Sequence, residues 1–143
     1  MKNLKLIVGT IAICLFLTSC DEKSDTQPLT CDQQVIVSEL EYTTAPSDQL
    51  SIHSVELNDN CLKIKFGSSG CSGDTWEVKL IDSGVVLYSN PPQRNLRLSL
   101  TNQEICSAYI GREMTFDVKN LQSSGNKVLL NIVNSGTQIL YEY

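Results

Sequence analysis

Cys61-Leu62-Lys63-Ile64-Lys65-Phe66 decides how this chain folds. Apolar and charged residues alternate one for one. Side chains of a strand point to opposite faces in turn, so Leu62, Ile64 and Phe66 share one face and Lys63 and Lys65 the other. A sheet with one apolar face needs a second layer to cover it. The same period recurs along the chain. Trp76, Val78 and Leu80 alternate with Glu77 and Lys79, and Leu96, Leu98 and Leu100 with Arg97 and Ser99. Met114, Phe116 and Val118 alternate with Thr115, Asp117 and Lys119, and Val128, Leu130 and Ile132 with Leu129 and Asn131. Ile139, Tyr141 and Tyr143 close the chain, and 34–40, 50–57 and 85–89 read as further strands. Asn58-Asp59-Asn60, Asp82-Ser83-Gly84 and Asn90-Pro91-Pro92 supply turn chemistry between them. About nine short strands at this spacing predict an all-β fold, an antiparallel sandwich over residues 31–143. One segment departs from the pattern. Thr101-Asn102-Gln103-Glu104 has the form of a capping box, with Ile105 and Tyr109 four apart and Gly111 placed to end a helix. It predicts one short helix over 102–110.

The front of the chain is of another kind. Lys2 and Lys5 precede an apolar run from Leu6 to Leu17, too short to span a bilayer. Leu17-Thr18-Ser19-Cys20 follows. A branched residue, two small residues and a cysteine resemble the lipobox of bacterial lipoproteins, in which the cysteine sulfur takes the diacylglyceryl group. The resemblance implies a signal peptide over 1–19 and lipidation of Cys20. Residues 20–30 then form a tether, since Asp21 to Pro28 contains no apolar residue. Loss of Lys2 and Lys5 leaves nine basic against sixteen acidic side chains. That balance opposes nucleic acid or anionic lipid as a partner. The expected membrane attachment is therefore through lipid, at the cell envelope. The acidic, serine-containing tether resembles the surface-export signal of Bacteroidota lipoproteins, whereas Asp21 after the cysteine would mean inner-membrane retention under enterobacterial sorting. Both readings stay open, and with them the membrane and its face.

Of six cysteines, Cys14 lies in the signal and Cys20 in the lipobox. Cys31, Cys61, Cys71 and Cys106 remain, an even number in an exported domain, and predict two disulfides. Their wide, irregular gaps lack the close pairs of a zinc site. Cys61 opens a strand and Cys71 lies past its far end. An extended stretch from Cys61 to Phe66 alone covers roughly 15 Å, which disfavours joining those two. Cys31–Cys61 with Cys71–Cys106 is preferred, and Cys31–Cys71 with Cys61–Cys106 is the alternative.

Candidate chemistry is sparse. His53, the single histidine, is expected to share a strand face with Val55 and Leu57. No nucleophile-elbow or metal-ligand spacing surrounds it, so a small hydrolase using His53 is the rival reading and no catalytic residue is assigned. Asn58-Asp59-Asn60 lacks the later glutamate of a calcium loop, and Glu77, Asp82 and Glu104 do not cluster. Arg94, Arg97 and Arg112 are expected in solvent and Trp76 in the core. No cofactor or metal is expected. The segment Gly67-Ser68-Ser69-Gly70-Cys71-Ser72-Gly73-Asp74-Thr75 stands out. It reads as a long inter-strand loop pinned at Cys71, with successive N–H groups able to form an anion nest. Gly67, Ser68, Ser69, Gly70, Ser72, Gly73, Asp74 and Thr75 are the candidate binding residues, for an envelope protein or a small ligand.

Gly70-Cys71-Ser72-Gly73 through Trp76, with Cys106, Thr115-Phe116-Asp117 and the terminal Ile139-Leu140-Tyr141-Glu142-Tyr143, also resembles small uncharacterised Bacteroidota-type lipoproteins with a short disulfide-containing β domain. That family carries no assigned activity. The resemblance implies location, and the expected function is a non-enzymatic binding or interaction module. A lipid-tethered inhibitor of an envelope enzyme would be one form of it.

Overall fold

The computed structural model describes residues 30–47 and 49–143; the lipobox, Cys20 and nearly all of the tether lie outside the described residues. Among the described residues nine strands form two facing sheets. The strands are β1 (Gln33–Gln34), β2 (Ile36–Val37), β3 (Ser51–Asn58), β4 (Cys61–Gly70), β5 (Glu77–Leu87), β6 (Gln93–Thr101), β7 (Ala108–Asp117), β8 (Lys127–Ile132) and β9 (Thr137–Glu142). One sheet runs β1-β7-β4-β3, the other β2-β5-β6-β8-β9. The alternating residues do what their period requires. Leu62, Ile64, Phe66 and Phe116 of the first sheet face Leu80, Leu96, Leu98, Leu130 and Tyr141 of the second, all nearly inaccessible to solvent. The fold is thus the expected all-β sandwich, but its sheets are mixed. β1–β7, β2–β5 and β6–β8 pair in parallel. β7 lies in the opposite sheet between β6 and β8, so the chain returns to its first sheet running the same way.

Residues 34–40 do not form one strand. β1 joins the first sheet, Val35 is buried, and β2 joins the second, so five residues lace the two sheets together. The Val35 N–H donates to Asp117 O at 3.1 Å. Helix α1 (Glu39–Thr44) follows on the outer face of the five-stranded sheet. Ser38 caps it, its hydroxyl accepting from Glu41 N at 3.2 Å. Arg97 closes its C-terminal end, donating to the carbonyls of Tyr42 and Ala45 and to Ser47 Oγ, so it is not a solvated arginine.

Asp82-Ser83-Gly84 is not a turn between strands. It is an irregularity inside β5, where the register to β6 shifts between Asp82 and Val86. Gly84 takes a left-handed backbone there, with φ of +77°. Asp82 points inward with the core parity of Val78 and Leu80 and is fully buried. Its partner is Arg94, placed in solvent by sequence reasoning but 8% exposed. The two form a bidentate pair, Nε–Oδ2 at 3.0 Å and Nη2–Oδ1 at 2.6 Å. Among the described residues no helix is long and apolar enough to cross a membrane.

Candidate functional site

The segment 67–75 is half strand and half loop. β4 continues through Gly70, so Gly67 to Gly70 pair with β7 and only Cys71 to Thr75 leave the sheet. Ser68 is 1% exposed and belongs to the interior, which removes it from any binding surface, while Ser69, Ser72, Asp74 and Thr75 are exposed. The disulfide from Cys71 reaches Cys106, and Cys31 is bonded to Cys61.

The predicted helix over 102–110 is absent. Residues 102–107 are irregular and β7 begins at Ala108. The side chains that suggested a cap are used elsewhere. Asn102 Oδ1 accepts from Glu104 N at 2.9 Å, and its amide donates to Ser69 O at 2.7 Å. Glu104 turns toward the 71–75 loop. Its carboxylate accepts from the backbone N–H of Cys71 at 2.5 Å, of Ser72 at 3.1 Å and of Gly73 at 3.1 Å, and from the Thr75 hydroxyl at 2.9 Å. The anion nest foreseen from the glycines therefore exists, and an anion of the chain's own fills it. Gly70 is required there, because a Cβ would collide with the Glu104 carboxylate and the Trp76 ring. Gly73 adopts φ of +75° above the same ring.

Burial tends to raise the Glu104 pKa, but the N–H groups of Gly73 and Cys71, the Thr75 hydroxyl and the Ser72 N–H outweigh it and hold it at about 2. A carboxyl depressed below its ordinary value stabilises the fold above that ordinary value, near 4.5, and loses the contribution as pH falls toward about 2. The wild type should therefore show faster amide exchange at 71–75 as pH falls through that window. Glu104→Gln should exchange fast at neutral pH and show little further change on acidification. A wild-type loop whose exchange, corrected for intrinsic rate, stays flat from pH 5 to pH 2 would refute this.

Below the loop the sandwich formed by the described residues is open on one side. β1 covers β7 only at Phe116 and Asp117, and β2 covers β5 only at Ile81 and Asp82. Above those pairings lies a cleft of about 450 Å³ between the two strands. Phe66, Trp76, Val78 and Met114 line its interior, with Arg112 and Lys79 also in its wall. Trp76 is half-buried, tilted against Phe66 with ring centroids 6.4 Å apart, and forms both core and cleft wall. Gly73 borders the same cleft. Arg112 donates to Asp74 Oδ1 at 3.0 Å, tying the loop to β7. Loop and cleft are thus one site, framed by a disulfide, a filled nest and an ion pair. Sequence reasoning found the loop but missed Glu104, Arg112, Phe66 and Met114 as its framework; the open strand edges have no local signature.

No protein-family model matches the chain, and no curated protein does. Solved structures do. A NigD-like immunity protein from Bacteroides caccae matches with a TM-score of 0.54 at 11% identity, over 75% of this chain and 58% of that one. A protein of unknown function from Bacteroides vulgatus matches at 0.49 and 17% identity, over 78% of this chain and 56% of that one. A toxin-related protein from Parabacteroides distasonis matches at 0.49 and 14%, over 76% and 61%. This chain spans about three-fifths of the length of the solved structures it matches. At these identities the likeness is one of fold. The β fold is thus one also found in a Bacteroides protein.

His53 sits apart from the loop-and-cleft site. The register between β3 and β4 shifts between Ile52 and Ser54, making His53 an extra, bulged residue. It does not share the inward face of Val55 and Leu57 but is exposed, with Nε2 2.6 Å from the Tyr109 hydroxyl. Tyr109 lies over Gly67, where a Cβ would strike its ring. Among the described residues no three His, Cys, Asp or Glu side chains gather to hold a metal.

Proposed function

We infer that the chain is a lipid-anchored envelope lipoprotein whose β domain is a non-enzymatic interaction module, with the cleft under the 71–75 loop as its binding surface. The anchor rests on the lipobox at Cys20. The observation that carries the binding role is the cleft walled by Trp76, Phe66 and Met114 together with the polar Gln33, Glu77, Lys79 and Arg112, and bordered at Gly73 by a loop fixed before any ligand arrives. Ordering a free loop costs about 1–2 kcal/mol per residue, and a fixed loop avoids that cost on binding. A tethered inhibitor of an envelope enzyme is one form of this reading, and the fold shared with an immunity protein is compatible with it.

Two measurements test it. Fatty-acid labelling should mark the wild type and not Cys20→Ala; equal labelling would remove the anchor. In intact cells, a photo-crosslinking residue at Glu77, beside the cleft, should trap a partner that the same residue at Gln138, on β9, does not. Identical patterns from both positions would remove the binding site. A hydrolytic activity lost in His53→Gln would favour the enzyme instead.

A further inference from the structure

We propose that the open edge of β7 beside the cleft is a strand-addition site for an extended polypeptide segment with alternating apolar side chains. The inference rests on the interaction-module reading and specifies its partner and geometry. Among the described residues β7 has a strand neighbour on its β4 side along residues 108–117, but on the other side only β1, opposite Phe116 and Asp117. The pleat sets which groups face that free side. The Thr115 N–H points there, donating to Asp32 Oδ2 at 2.8 Å, and the Asp117 carbonyl does too, accepting from Val35. Alternate residues present the same way, so the N–H and C=O of Tyr109, Gly111 and Glu113 face the same edge. β4 and β7 pair without a register shift, so this parity holds along the whole strand.

The chain itself shows how such a segment is received. Residues 33–35 run parallel to β7 and place Val35 between the sheets, 3% exposed, with a backbone hydrogen bond to Asp117. The cleft continues that groove upward along β7, between the same two strands. A partner strand following the line of β1 would turn every second side chain into the cleft, against Met114, Phe66 and Trp76. Backbone pairing would supply affinity and the cleft would select the anchors. Gly111 is exposed, opposite Gly67 in the register, and a Cβ at Gly111 would meet nothing within 4 Å, so a chain can approach closely there.

The test uses the purified full chain and a synthetic acetylated and amidated peptide, Thr-Val-Thr-Leu-Thr. A second version is N-methylated at the residues facing β7. Binding is read from amide and indole shifts of the ¹⁵N-labelled protein. The plain peptide should shift Tyr109, Gly111 and the Trp76 indole, and N-methylation should weaken it at least tenfold. Gly111→Pro should do the same with an unchanged Tm, because the lost N–H faces away from β4. Equal binding of both peptides would mean the cleft takes side chains without strand pairing, overturning this inference and leaving the interaction-module reading standing. Absence of shifts with either peptide overturns it too, as does Gly111-dependent self-association, which would make a second copy the occupant. The crosslinking contrast between Glu77 and Gln138 judges the broader reading separately.

Discussion

Arg94→Met should lower the unfolding free energy by about 3–5 kcal/mol, because it leaves the Asp82 carboxylate buried without its partner. Asp82 has no solvent access, and two hydrogen bonds from Arg94 satisfy both its oxygens. One further bond, from Gly84 N at 2.8 Å, cannot replace a guanidinium. A domain of this size has only about 5–15 kcal/mol in total, so this variant should be near the limit of folding. Arg94→Met combined with Asp82→Leu should recover most of the loss, since two apolar groups need no mutual charge. Equilibrium urea denaturation of the four-member cycle measures both. A single substitution costing under about 1 kcal/mol, or a double no better than the single, would show that the pair is not the electrostatic plug of the core.

Removal of the Cys31–Cys61 bridge comes next in size. It closes a 30-residue interval, for which the chain-entropy model gives about 3.6 kcal/mol. Its position adds to this. Cys61 is 2% exposed at the start of β4, and the bridge fixes the lacing segment that carries β1, Val35 and β2. Cys31→Ser with Cys61→Ser should therefore lose about 3–4 kcal/mol and open the amides of 33–37 first. The Cys71–Cys106 bridge spans 35 residues and has a similar entropic worth, but Glu104 holds the same loop independently. Its removal should be less costly. Denaturation midpoints of the two double-serine variants, with hydrogen exchange, compare them. A larger loss from the Cys71–Cys106 pair would contradict this ordering.

Alternation by itself determined most of the core. In 62–66, 96–100 and 128–132, where apolar residues recur at every second position, the strand exists and the apolar face is buried. The reason is local: the pleat imposes a period of two, and one-sided burial makes it visible in composition. The turn at Asn58-Asp59-Asn60 is equally local, with Asp59 left-handed at φ of 51°. The tertiary structure decided the rest, because the deciding partners are distant in the chain. Two stretches have the same capping-box form. Ser38 to Glu41 opens a helix, because β5 and Arg97 offer it a surface and a C-terminal partner. Thr101 to Glu104 does not, because its carboxylate meets the 71–75 N–H groups and its β6 neighbour extends through Thr101. Asp82-Ser83-Gly84 has turn composition yet stays in a strand, since Arg94 twelve positions on takes the carboxylate inward. His53 leaves the expected face through one bulge that no local pattern announces. A residue's period is written in its neighbours, whereas the destination of a charge or a strand edge depends on which segments the two sheets bring opposite one another.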